Sequence, residues 1–529
     1  MQRLRSSPVA SKLAFGVSGK PNHPKALRKL TSALHIAHSR TRILYRPFIP
    51  AIATSMLLLM LVGGCSRKLP SSLAILHATV IDATGAPPQP DSTVLIQRQR
   101  ITAVGPSGSV PVPPDAQILD ATGKFLIPGL ADSHVHITAA GEPTGSRQFM
   151  LPLLLANGIT TVRDMGGKVG FLAQIRSEIA SDKRLGPQIF FTGPYLDGDP
   201  PGYQPSIVVR NAAEARSAVD LLVSQHVDFL KVQSALGREA YFAIAAESKA
   251  KGIRFVGHVP DRVSALEASN AGQSSIEHLT GVLLACSSME DELRKEQFFP
   301  DPPNATLEEK LARTRSWQRR LLDSYSPQKA DALISAFVAN GTWQVPTFSA
   351  LINLAFLTPR TNLLGDARIN YIPPKEFQIW RTAVNAQLEH ATPADFAIRE
   401  EIIQRSLEVL GKMQAAGVHI MAGSDTPAPN VFPGFSLHEG LAYLVQAGLT
   451  PMQALQAATK NPAEFFGQLG TKGTITPGKF ADLVLLDADP LDDIHNTEKI
   501  RAVVLRGRLL DRSSLDALLS SVEEFAKAN

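Results

Sequence analysis

Cysteine is nearly absent from this chain: its 529 residues include two, Cys65 and Cys286. Two distant thiols build neither a disulfide framework nor a zinc knuckle. Aromatic residues are sparse, at 6%, and no basic stripe with interleaved aromatics runs through the body, so nothing points to nucleic acid. No internal repeat or low-complexity tract is present. Acidic residues are missing from the first 48 positions, which are rich in Lys and Arg. That stretch alone carries ten Lys and Arg, more than the whole formal net charge of +5, so the body after residue 65 is mildly acidic. The middle of the chain has no Gly-x-Ser-x-Gly elbow, which removes a Ser-His-Asp reading.

What is there begins with a leader. The basic "RTRILYR" precedes the apolar "PFIPAIATSMLLLMLVGGC", the order of a secretory signal. The residues "LVGGC" resemble the bacterial lipobox, in which the cysteine becomes the lipidated N-terminus. The expectation is a signal and lipoprotein leader over 1–65, lipidation at Cys65 and a tether over 66–72. The protein would then sit in the cell envelope, anchored in a membrane and facing the periplasm or the exterior. The competing reading is an uncleaved signal anchor, because the apolar stretch approaches spanning length.

From Leu73 the pattern turns to short strands with Gly and Pro turns, as in "LAILHATVID" and "STVLIQRQRITAVG". A matching block returns in "GTITPGKFADLVLLDAD" and "IRAVVLRGRLLD". Segments 73–124 and 471–515 therefore predict one small β-sandwich built from both flanks, with a C-terminal helix over 516–529. Between them, over 125–470, apolar strand-like runs alternate with helical stretches, which means parallel βα units. Counting from "FLIPGLADSHVH" gives eight units, an α/β chain with a (β/α)₈ TIM-like barrel. Residues 285–341 and 350–410 read as helical insertions near the barrel mouth.

Reactive groups in such barrels sit at the C-terminal ends of strands. The first apolar run ends in His134 and His136, and residues two apart on a strand face the same way. The fourth run ends in Lys231, the fifth in His258, the sixth in His278 and the eighth in Asp425. Singly, each has a bland explanation: a hydrogen-bonded histidine, a surface lysine, a helix-capping aspartate. Together, in strand order, they have the donor types of a metal site.

These motifs, "LIPGLADSHVH", "ITTVRDMGG", "DFLKV", "IRFVGH", "SSIEH" and "AGSDTP", are similar to those of the amidohydrolase superfamily. The likeness covers about residues 73–515 and is nearest to its imidazolonepropionase-like and prolidase-like members. It implies a metal-dependent hydrolase of a small-molecule amide, dipeptide or cyclic amide, acting through a metal-activated hydroxide. It also implies two divalent metal ions, zinc first by donor type, with His134, His136 and Asp425 on the more buried ion. His258 and His278 would hold the more exposed ion, and carboxylated Lys231 would bridge the two. Asp425 would serve as the catalytic base as well. A lactonase or esterase on the same site, and a non-catalytic binding lipoprotein, are the rival readings. A homo-oligomer is compatible with the sequence.

Weaker expectations attach to other residues. Arg163 and Asp164 read as an internal salt link, and Tyr195 and Tyr203 as substrate-contacting groups. His438 reads as a helix-surface residue or one supporting the site from behind. His226 falls before a strand, at the wrong end for chemistry, and His77, His390, His419 and His495 have no ligand-like context.

Overall fold

A computed structural model describes residues 72–138, 145–299, 301–355 and 365–529. The leader, Cys65 and the tether up to residue 71 lie outside the described residues. Among the described residues no helix is long and apolar enough to cross a membrane. The N-terminal flank gives β1 (Ser72–Val80), β2 (Gln89–Gln97), β3 (Arg100–Pro106), β4 (Gln117–Asp120) and β5 (Phe125–Pro128). The middle gives β6 (Leu130–Val135), β7 (Ile159–Asp164), β8 (Gln188–Phe191), β9 (Tyr195–Asp197), β10 (Ser206–Val208), β11 (Leu230–Val232), β12 (Phe255–Gly257), β13 (Ser275–Glu277) and β14 (Trp343–Val345). The C-terminal flank gives β15 (Leu483–Leu486), β16 (Ile500–Leu505) and β17 (Arg508–Leu510).

Both flanks enter one eight-stranded sheet, in the order β17-β16-β15-β5-β1-β2-β3 with β4 also on β1. The seam between them is antiparallel, from Leu483 opposite Pro128 to Leu486 opposite Phe125. Side chains alternate across a strand, and here the alternation sorts them into two cores. Leu126, Leu483, Leu485 and Val504 pack with Ile75, Val94 and Ile96. Their neighbours Ile127, Val484, Leu486 and Val503 join the main core of the α/β body. A strand buried on both faces reads as a continuous apolar run, which is why "ADLVLL" and "AVVL" lack polar alternation.

The middle strands pair in parallel as β6-β7-β8 and as β10-β9-β11-β12-β13-β14. Backbone bonds link these ladders. Asp228 N donates to Phe191 O, Met421 N to Gln344 O, and Ser133 N to Ala422 O. Helices such as Ala212–Ser224, Arg238–Lys251 and Phe435–Gln446 follow the strands. The two long connections carry the helices Leu307–Asp323 and Pro374–Leu388. Thr306 caps the first of these with Glu309 in a reciprocal box. The closing helix runs Arg512–Ala528, ahead of the expected start at 516, because the Asp511 carboxylate accepts from Ser514 N and caps it there.

Gly257 ends β12 just before His258. Its φ is +129°, and a Cβ there would lie 2.3 Å from Val232 O and 3.0 Å from Lys231 Cδ. Only glycine lets β12 approach β11 this closely. Gly257→Ala is expected to lower stability by about 1–3 kcal/mol, read as a fall in the thermal unfolding midpoint. An unchanged midpoint would contradict this packing.

Candidate metal centre

The ends of the parallel strands bring the expected residues into one cluster. Asp132, His134 and His136 are two apart along the first of these strands and its exit. His134 is fully buried, while His136 keeps 15% of its side chain exposed. Asp425 follows the extended segment after the helix Pro393–Ala415, and its N donates to His134 O. Ligand atoms of His134, His136 and Asp425 lie within 4.8 Å of one another. The His278 ring sits 4.6 Å from that of His134 and 4.9 Å from that of His258. Lys231, 1% exposed, projects from β11.

Two contacts define what this cluster can bind. His134 Nε2 is 3.3 Å and His136 Nε2 is 3.1 Å from Asp425 Oδ1. His134 Nε2 is buried and has no hydrogen-bond partner. Its other nitrogen, Nδ1, lies 2.8 Å from Glu277 Oε2. A carboxylate accepts only, so Nδ1 carries the proton and Nε2 a bare lone pair. Two buried acceptors facing each other are unfavourable unless a cation joins them. The donor set therefore fits a metal ion on His134, His136 and Asp425. Nδ1 of His258 meets Ser234 Oγ at 2.9 Å, and Nδ1 of His278 meets Thr347 Oγ1 at 2.6 Å.

Charge states agree with ligation. Burial, reinforced by the Lys231 charge, holds the His134 and His258 imidazoles well below their ordinary range. Burial likewise lowers His278 to about 4. Neutral imidazole is the form that binds metals. Burial opposes ionisation of Asp425, but His278 and His136 outweigh it and hold the carboxyl below its usual value. Burial brings the Lys231 ammonium down to about 8, against the pull of Glu277 and Asp425. A neutral amine is thus accessible near physiological pH.

Other residues fall differently from the sequence expectations. Arg163 does form a buried ion pair, but with Glu277 at 2.9 Å and not with its neighbour. Asp164 instead accepts from the N–H groups of Ile137 and Gly166. Tyr195 is 6% exposed and places its hydroxyl 3.2 Å from His136 Nδ1, supporting that imidazole. Tyr203 lies beside it, with ring centroids 6.0 Å apart. His438 is buried and ties its helix to Thr497 Oγ1 and Asn157 O. The sequence reading missed Glu277 and Asp132. Asp132 accepts from Ser424 Oγ at 2.6 Å and Ser424 N at 3.0 Å, fastening β6 to the segment that carries Asp425. The signal was available: a carboxylate inside an apolar strand must have a partner.

Comparison with known proteins places the chain. The amidohydrolase family model matches residues 125–510. Adenine deaminase 3 of Rhizobium meliloti (strain 1021) is 21% identical over 463 residues, covering 85% of this chain and 59% of that relative. The chain spans 13% to 36% of four other adenine deaminases that it matches. Bottromycin amidohydrolase has a similar structure, with a TM-score of 0.64 at 22% identity over 87% of this chain and 91% of that one. A Xaa-Pro dipeptidase with methionine in its active site gives 0.59 at 20% identity, over 83% of this chain and 100% of that one. At these identities the structural likeness is one of fold.

Tyr195→Phe removes the hydroxyl behind His136 and little else. Loss of such a supporting bond should weaken metal binding by about tenfold, measured by competition with a chelator, with the unfolding midpoint preserved. Unchanged affinity would show that the hydroxyl does not support the ligand.

Proposed function

The chain belongs to the amidohydrolase family, and on that premise we propose that it is a metal-dependent hydrolase of a C–N bond in a small amide, dipeptide or cyclic amide. The observation that carries this reading is the buried pair of acceptors, His134 Nε2 and Asp425 Oδ1, 3.3 Å apart. The parallel strands, with the backbone bonds between their ladders, are read as one (β/α)₈ barrel beside a β-sandwich made from the two flanks.

His134, His136 and Asp425 would hold one divalent ion, with His258 and His278 on a second. Zinc suits this set of imidazole and carboxylate donors. Bound there, such ions supply Lewis acidity and make a water acidic enough to ionise near neutral pH. Lys231, as the neutral amine, adds carbon dioxide at Nζ and releases one proton. The resulting carbamate is an anionic oxygen donor between the two sets of ligands. Without it a buried ammonium would oppose cation binding. Asp425, held as a carboxylate, accepts a proton from the attacking water at Oδ and delivers it to the leaving nitrogen. Tyr203, beside Tyr195, and the loop after β9 would contact substrate.

The experiment is a screen of dipeptides, N-acyl amino acids and cyclic amides beside matched esters and lactones. Faster turnover of the amides supports the reading, and turnover of esters alone replaces it with a lactonase or esterase. Lys231→Ala should lose activity and much of its metal, with partial rescue by short-chain carboxylic acids. Lys231→Arg should show no rescue, because arginine stays charged and forms no carbamate. Rescue of neither variant, with full metal retained in both, would contradict the carbamate role.

For the leader we propose cleavage before Cys65 and acylation of that residue, which would place the catalytic body on the outer side of a membrane. The support is "LVGGC" after a basic and apolar stretch. Cys65→Ser should accumulate an unlipidated precursor. Mass spectrometry of membrane-extracted protein that finds an intact N-terminus would refute the assignment.

A further inference from the structure

The Arg163–Glu277 pair is fully buried, far from the solvent that makes most ion pairs cheap to form. Moving two charges out of water costs several kcal/mol per ion, so such a pair is weak evidence for stability. Its hydrogen bonds show another use. Arg163 Nη2 lies 2.9 Å from Glu277 Oε1 and 3.0 Å from Oε2. Arg163 Nε donates to Ser133 O at 2.6 Å, and Nη1 donates to Ser275 Oγ at 3.1 Å. The Ser275 hydroxyl then donates to Glu277 Oε1. Every donor around this carboxylate comes from β7 or β13, except one. That one is His134 Nδ1 on β6, at 2.8 Å from Oε2.

We propose that Arg163 and Glu277 are a positioning pair that fixes His134 in the tautomer protonated at Nδ1, so that Nε2 stands bare toward the metal centre before any ion arrives. Arg163 Nη2 donates to both oxygens of Glu277 and Ser275 Oγ donates to Oε1, so this carboxylate is surrounded by donors. Glu277 then has an unshared direction in which it can only accept. His134 must supply the proton, and the tautomer follows. The ring is held on one side by Glu277, while its free nitrogen faces Asp425 Oδ1 at 3.3 Å. The same bond spans β6 and β13, so strand register and ligand orientation are set together. A carboxylate behind a ligating histidine also raises its basicity. The role in metal capture rests on the hydrolase reading above; the tautomer does not.

The test separates the two. In metal-free protein with ¹⁵N-labelled imidazoles, NMR reads which nitrogen of His134 carries the proton, and His134→Asn identifies the signal. Protonation at Nδ1 in a slowly exchanging bond is expected; protonation at Nε2 would overturn the proposal without any variant having to fold. Glu277→Gln keeps the shape and removes the anion. Its zinc affinity, by chelator competition, should fall about 10–100-fold, and the Nδ1 proton should exchange faster. Arg163→Met combined with Glu277→Gln removes both buried charges, and it should recover stability without recovering zinc affinity. Recovery of affinity together with stability would reduce the pair to a structural role and overturn the proposal. If the wild-type chain binds no zinc, the hydrolase reading fails, while the tautomer measurement still decides the positioning of His134.

Discussion

The rest of the structure depends on one crowded contact: the Asp425 carboxylate facing two imidazole nitrogens, at 3.3 Å and 3.1 Å, where water scarcely reaches. The unpartnered His134 Nε2 and the carboxylate oxygen it faces repel one another unless a cation lies between them. The fold supplies the constraint that keeps them together. Asp132 is fastened to Ser424, and Asp425 N is bonded to His134 O, so β6 and the segment that carries Asp425 are held together. Asp425 itself sits at φ +66°, a conformation that non-glycine residues adopt at a cost. Strain, burial and charge converge on the residue assigned to both ligand and base.

Behind the cluster lies a layer of support in which each of the four histidines has a partner. Glu277 holds His134, Tyr195 holds His136, Ser234 meets His258 and Thr347 meets His278. These partners come from four different strand ends or the turns after them. Orienting these rings therefore draws on several of the parallel strands at once, and the flanking sheet braces the α/β body by packing one face of β5, β15 and β16 against it.

Much of this was legible in the sequence. Six residues at strand ends named the cluster, because strand ends and two-residue alternation are properties of the pattern itself. The joining of the two flanks followed from their similar turn-rich strands. What was not legible was pairing across long separations. Arg163 chose Glu277 and not the adjacent Asp164, since partners are set by which strands lie side by side. Glu277 was hidden beside His278, whose obvious role drew attention from the carboxylate next to it. Tyr195 read as a substrate contact, yet its hydroxyl turns toward a histidine, a direction that only the β9 to β6 distance decides.

The most direct measurement is the metal content of the purified full-length chain, taken together with electron density at Lys231 Nζ. Two divalent ions per chain and a carbamate on Lys231 are the expected result. A folded, active chain holding one ion, with an unmodified lysine turned away from it, would contradict the binuclear centre and leave a mononuclear site on His134, His136, His258 and Asp425.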